Sequence, residues 1–151
     1  EQKMKKTISM LFSTLLILSL MSVGLAEART IRHESDSVDE ILVNGDDFKE
    51  VLTKSSLKFN ERNTLKFRAY NGEVALVINS KHIKPRNFVV KNGVNVLNLP
   101  STVVISGSGV KRQAIKTTFK VTYDENNINI DGCFKYNGEK VCLDITNNNS
   151  L

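Results

Sequence analysis

Tryptophan is absent from this chain of 151 residues, and cysteine, histidine and proline occur only twice each. Without Trp, the buried indole that marks true immunoglobulin domains is missing. With only His33 and His82, there is little from which to build a general base. His33 lies in a polar N-terminal stretch. His82 lies in a basic loop whose Lys and Arg neighbours disfavour its protonation. A Ser or Cys hydrolase therefore finds no partner for its nucleophile. The turn Ser106-Gly107-Ser108-Gly109 lacks the leading glycine of a G-x-S-x-G elbow and falls between strands. Two Cys and a distant His do not have zinc-finger spacing, and neither Cys is followed by the His and Met of a cupredoxin-type copper site. The oxygen-rich run Asp124 to Gly132 has Asn129 where an EF-hand loop needs glycine. It reads as an Asx-rich turn, with a loose calcium loop as the alternative. No catalytic set, metal or cofactor is expected.

Aromatic residues are also sparse. Tyr70, Phe88 and Tyr136 are too scattered to form a stacking platform for single-stranded nucleic acid. Long apolar runs are limited to one, at the start. Met4-Lys5-Lys6, the apolar segment Ile8 to Leu20 and the small-x-small site Ala26-Glu27-Ala28 form the three regions of a secretory signal peptide, with Glu1 to Lys3 upstream. Residues 1–28 are expected to be removed, leaving a periplasmic or extracellular protein with no membrane span after signal cleavage. An uncleaved anchor is the alternative, because 8–26 is about long enough to cross a bilayer. Export makes nucleic acid an improbable partner.

What is present is period-two patterning. Asn137-Gly138 marks a type I′ hairpin. Counting outward from it, Tyr136 faces Glu139, Phe134 faces Val141 and Cys133 faces Cys142. The cysteines then form a non-hydrogen-bonded pair, close enough for a cross-strand disulfide. Such a bond closes a loop of about ten residues and contributes about 2–3 kcal/mol in the chain-entropy picture. It reads as a structural staple. Thiol–disulfide exchange is the alternative, weakened by the lack of an adjacent His and by an expected placement of Lys135 and Lys140 on the face opposite the sulfurs.

Asn63 to Tyr70 and Glu73 to Asn79 alternate around Asn71-Gly72. A two-residue turn there pairs Ala69 with Val74, Phe67 with Leu76 and Leu65 with Ile78. Phe88 to Val90 and Val94 to Leu99 form another hairpin around Asn92-Gly93, which Pro100 is expected to stop. Thr102 to Ile105, Ile115 to Tyr123 and Ile128 to Ile130 are further strands. Phe48, Val51 and Leu52 have helical spacing, which predicts one short helix near 46–53. The fold class is therefore all-β: an antiparallel immunoglobulin-like β-sandwich of about eight or nine short strands, with a small β-barrel as the alternative. Residues 29–40 read as a flexible N-terminal arm, 41–146 as a single β domain and 147–151 as a polar tail.

Charge is unevenly spread. Residues 29–50 carry a net −4, 51–120 a net +11 and 121–151 a net −3. The acidic ends are expected to pack beside the basic middle and neutralise it across strands. The alternative is a surface that attracts an anionic partner. Lys81, Lys84 and Arg86, with Lys91, Lys111 and Arg112, form the densest basic group and the candidate anion-binding site; a solvated strand face is the plainer reading. Together these features predict a small exported module of the cell envelope that binds another envelope protein or an anionic envelope component.

Overall fold

The computed structural model describes residues 31–60, 64–80 and 88–148. No helix occurs among them; all the regular structure is antiparallel β. The strands are β1 (His33–Ser35), β2 (Glu40–Val43), β3 (Asp46–Asp47), β4 (Lys54–Phe59), β5 (Leu65–Tyr70), β6 (Val74–Ser80), β7 (Phe88–Lys91), β8 (Val94–Gly107), β9 (Val110–Tyr123), β10 (Asn127–Tyr136) and β11 (Glu139–Asn148). Ten of them follow one hydrogen-bonded path, β1-β4-β5-β6-β8-β9-β10-β11-β2-β3, and β7 pairs with β8 beside it. The sheet curls into a half-barrel, which agrees with the all-β class and in part with the barrel alternative.

Alternation decides which side of this sheet is inside. In β5, Leu65, Phe67 and Ala69 are buried while Lys66, Arg68 and Tyr70 are exposed. In β8, Leu97, Leu99, Val103 and Ile105 are buried. Across the ladder Leu97, Leu99 and Val103 meet Val121, Phe119 and Ile115 of β9, and Ile105 meets Gln113. β8 does not stop at Pro100. Its neighbour on one side changes from β7, last paired at Leu97, to β6, first paired at Ser101. Pro100 falls in that gap, where a strand tolerates a residue without an N–H.

The Asn-Gly pairs behave in two ways. At Asn44-Gly45, Asn92-Gly93 and Asn137-Gly138 both residues have positive φ, as a type I′ turn requires. At Asn71-Gly72 only the glycine does. The Asn71 side chain instead accepts from the Glu73 and Val74 amides at 2.9 and 2.7 Å, closing a longer loop. The pairs are Tyr70–Ala75, Ala69–Leu76 and Phe67–Ile78, two residues from the register expected. A shift of two keeps every side chain on its own face, so the core is the one the pattern implied. Val74 pairs with Gly107 of β8, and on the β5 side its carbonyl accepts from the Asn71 amide at 3.2 Å.

Three further expectations change. The helix near 46–53 is replaced by β3 and one turn, in which the Val51 and Leu52 amides both donate to the Phe48 carbonyl. The type I′ turn at Asn44-Gly45 pairs Val43 with Asp46 and Leu42 with Asp47, using residues that a helix would need for its first turn. The described part of the flexible arm contributes β1 and the fully buried Val38. Asn147, expected in the tail, is buried within β11.

The chain itself links the two ends of the strand order. β1 begins the path and β2 lies near its end, yet only residues 36–39 separate them. In this link the Val38 amide donates to Ser55 Oγ on β4, and Asp39 Oδ2 accepts from the Asn148 amide on β11. His33, 1% exposed, places Nε2 2.8 Å from the Asp124 carbonyl beyond β9. Its ring meets Tyr123 edge-on, and Tyr123 meets Phe59. Burial lowers the His33 pKa, partly offset by the hydrogen bond to and charge of Asp124, and burial pushes Tyr123 up to about 12. The folded state therefore takes up a proton at His33 less readily than the unfolded chain does. Its contribution is complete above the unfolded value of about 6.5 and declines as the pH falls from there toward the lower folded value. Thermal melts from about pH 7.5 to 5.5 will show a fall in Tm that is reduced in His33→Gln; equal slopes in both proteins would contradict this.

Along β9 the backbone pairing with β10 ends at Lys120–Asp131. Beyond it the strands are joined by side chains: Thr117 Oγ1 donates to the Cys133 carbonyl at 2.7 Å, and Gln113 Nε2 to Asn137 Oδ1 at 2.9 Å. Gly132 marks the change. A Cβ there would lie 2.5 Å from Phe119 Cδ1, so the fully buried Phe119 ring occupies the space that a side chain at 132 would need. Gly132→Ala is expected to cost about 1–3 kcal/mol by overpacking. In denaturant unfolding the loss should shrink when Phe119→Leu is combined with it; strict additivity would show that the two residues do not compete.

Candidate functional site

The outward positions of β4, β5, β6, β8 and β9 form one face. β4 contributes Lys54, Ser56 and Lys58; β5 contributes Lys66, Arg68 and Tyr70. β6 and β8 contribute Ala75, Val77 and Asn79 and, paired with them, Ser106, Val104 and Thr102. β9 contributes Arg112, Ala114, Lys116, Thr118 and Lys120. The face holds seven exposed cations, and none of these outward positions is acidic. Acidic residues stand at its borders. Glu34 Oε2 of β1 lies 3.5 Å from Lys58 Nζ, both well exposed, and Asp131 of β10 is the register partner of Lys120. Neutralisation across strands therefore operates at the margins of the basic region and not over its middle. Asp144 and Asp47 share with Asp131 the outward side of β10, β11, β2 and β3, where Asp131, Asp144, Leu42 and Asp47 are successive neighbours. Asp36 and Glu73 stay beside the cationic face, in the β1–β2 link and the β5–β6 turn.

A groove of about 680 Å³ crosses this face over β4 to β6. Lys54, Ser56, Arg68, Tyr70, Ala75, Val77 and the acidic Asp36 are among the residues that line it. A smaller hollow of about 230 Å³, lined by Glu34, Lys58, Lys66 and Arg68 among others, adjoins it. Tyr70 is 42% exposed, and its hydroxyl donates to the Gly72 carbonyl at 2.8 Å, which fixes the ring at the groove.

The anion-binding group expected from sequence is not this set. Lys81, Lys84 and Arg86, like His82, lie outside the described residues. Lys91 pairs with Val94 at the start of β8, while Lys111 and Arg112 stand beside the turn at its far end. Adjacent strand residues point to opposite faces, so Arg112 joins the outward cations and Lys111 does not. Lys66, Arg68, Lys116 and Lys120 are polar members of the alternation, while Lys54 and Lys58 lie in β4, which is not among the strands expected from sequence. Their shared face follows from the strand order, which no local pattern discloses.

Cys133 and Cys142 are bonded, directly opposite each other with Cα atoms 4.0 Å apart, in the register expected from Asn137-Gly138. Both are half-buried. Asn44 hooks onto this point twice: its amide donates to the Cys142 carbonyl, and its side-chain oxygen accepts from the Cys142 amide, both at 2.8 Å. Lys135 and Lys140 do not point away from the sulfurs. They are the next pair along the same face, two residues from each cysteine, because strand side chains alternate with period two. On the other side of the bond Asp131 faces Asp144, and Asn129 Nδ2 donates to Asp144 Oδ1 at 2.6 Å. The staple thus sits between a Lys–Lys and an Asp–Asp pair, each of which pushes the strands apart. At the other turn of the region, Asp124 Oδ1 accepts from the Asn126 and Asn127 amides at 2.8 Å, the Asx-turn arrangement.

No protein-family model matches the chain, and no curated protein or solved structure shows significant similarity to it.

Replacing both cysteines by alanine is expected to cost about 2–3 kcal/mol while the β-sheet is kept. The cost should fall in concentrated salt, which screens the two like-charge pairs. A salt-independent cost, read from denaturant unfolding, would rule out a role for those pairs.

Proposed function

We propose that the chain is an exported, non-enzymatic binding module that takes an anionic component of the cell envelope on the outward face of β4 to β9. The observation that carries this reading is the concentration of seven exposed cations on a face whose own outward positions hold no acid. A broad surface of one sign raises the local concentration of an oppositely charged partner and speeds its encounter. The disulfide supports export, since such bonds persist in oxidising compartments. The leader-like pattern of residues 1–28 supports it as well.

A second reading, thiol–disulfide exchange, is favoured by one observation: Lys135 and Lys140 share the sulfur-bearing face and would stabilise a thiolate. A reduction potential below about −300 mV is the mark of a staple and a higher one that of an exchanger.

The binding reading is tested by titrating the oxidised protein into phosphatidylglycerol vesicles, polygalacturonate and single-stranded DNA over a range of salt. Binding to at least one of these should weaken steeply with salt. It should be lost in the triple variant Lys66→Glu, Arg68→Glu, Lys116→Glu, whose melting should stay near that of the parent because all three side chains are exposed. Absence of binding to all three, or undiminished binding by the variant, contradicts the reading.

A further inference from the structure

We propose that the occupant of the cationic face is an acidic polysaccharide, lying along the strand direction over an uncharged floor between two rows of cations. This rests on the reading that the face binds an anion and specifies the ligand class. One row is Lys66 and Arg68 of β5, backed by Lys54 and Lys58 of β4; the other is Arg112 and Lys116 of β9, continued by Lys120, whose ladder partner Asn98 lies past the end of the β6 pairing. Between them lie β6 and β8, whose outward residues Ala75, Val77, Asn79, Thr102, Val104 and Ser106 are all uncharged. β5 and β9 are separated by three strand spacings, roughly 14 Å along the sheet. The β9 cations recur every fourth residue, about 13 Å apart along an extended strand.

This arrangement suits a repeating chain whose acids project to either side. The carboxylates reach the two rows, and the sugar hydroxyls meet Asn79, Thr102 and Ser106, which offer both donors and acceptors. Tyr70, fixed by its bond to the Gly72 carbonyl, stands at the groove as an apolar wall for a sugar ring. Other anionic partners fit less well. A bilayer surface is met by protruding apolar side chains, but Val77 and Val104 are half-buried and, among the described residues, Tyr70 is the one large exposed apolar residue on the face. A stable protein interface is anchored by aromatic and Arg hot spots over an apolar centre, and small polar side chains make up half of this floor. Single-stranded nucleic acid needs several aromatic platforms, and this face has one.

The test uses calorimetric titration of the oxidised protein with polygalacturonate fragments, alongside phosphatidylglycerol vesicles and single-stranded DNA. Wild type should bind polygalacturonate more tightly than either of the others at equal ionic strength. Thr102→Tyr obstructs the floor without changing charge, in a residue type that strands accept. It should weaken polygalacturonate binding about tenfold. Asn79→Glu, at an exposed floor position, places a carboxylate under the chain and should weaken binding at least as much. Preference for vesicles or DNA would overturn the polysaccharide while leaving an anion-binding face. Failure to bind any of the three would remove both. Floor variants that fold and bind polygalacturonate as wild type does would show that the chain does not lie there.

Discussion

A sheet that curls on itself has one inside, and the strict alternation of β-strands assigns half of every strand to it. Here that half is Leu57, Phe59, Leu65, Phe67, Leu97, Phe119 and their neighbours, nearly all fully buried. Filling the interior leaves the other half of the same residues no choice of face. Lys66 and Arg68 are outside because Leu65, Phe67 and Ala69 are inside. Lys116 and Lys120 are outside because Phe119 and Val121 are inside. The cationic surface is therefore a consequence of core packing in a region where Lys and Arg supply the charged polar positions. A one-residue slip in any strand would exchange its two sets of side chains.

Curling also creates a difficulty at the ends of the sheet, since the terminal strands lack the ladder that holds the middle. The chain meets it with isolated contacts. Residues 36–39 join β1 to β2, Val38 is buried in the link, and single hydrogen bonds tie it to Ser55 and Asn148. His33 secures β1 against the Asp124 turn. At the opposite end Asn44 grips Cys142 while Thr117 and Gln113 hold β10 where the β9 ladder has ended. The disulfide belongs to this set. It clamps a hairpin whose outward face carries a like-charge pair on each side of the bond.

Much of this was legible in the sequence and some was not, for definite reasons. The Cys133–Cys142 pairing followed from Asn137-Gly138, because a two-residue turn fixes every pair beyond it. The faces of β5 and β6 were also readable, although the register was off by two; face depends on parity, whereas register depended on the loop that the Asn71 side chain closes. Phe48, Val51 and Leu52 looked helical because three residues cannot distinguish a helix from a single turn, and Val51 proves to be 53% exposed. His33 looked like part of a loose arm because its partners, Phe59, Tyr123 and Asp124, are remote in sequence. The cationic face was hidden for the same reason. Its members are spread from residue 54 to 120, and only the strand order brings them together.

The account turns on whether ligand meets the outward surface of β6 and β8 with a row of cations on each side. Amide chemical-shift mapping during titration with polygalacturonate fragments tests this most directly. Shifts should concentrate at Val77, Asn79, Thr102, Val104 and Ser106, with flanking changes at Lys66, Arg68 and Lys116, and little change in β10 and β11. Shifts centred instead on Lys135, Lys140 and the cysteine hairpin, with β6 and β8 unmoved, would contradict it.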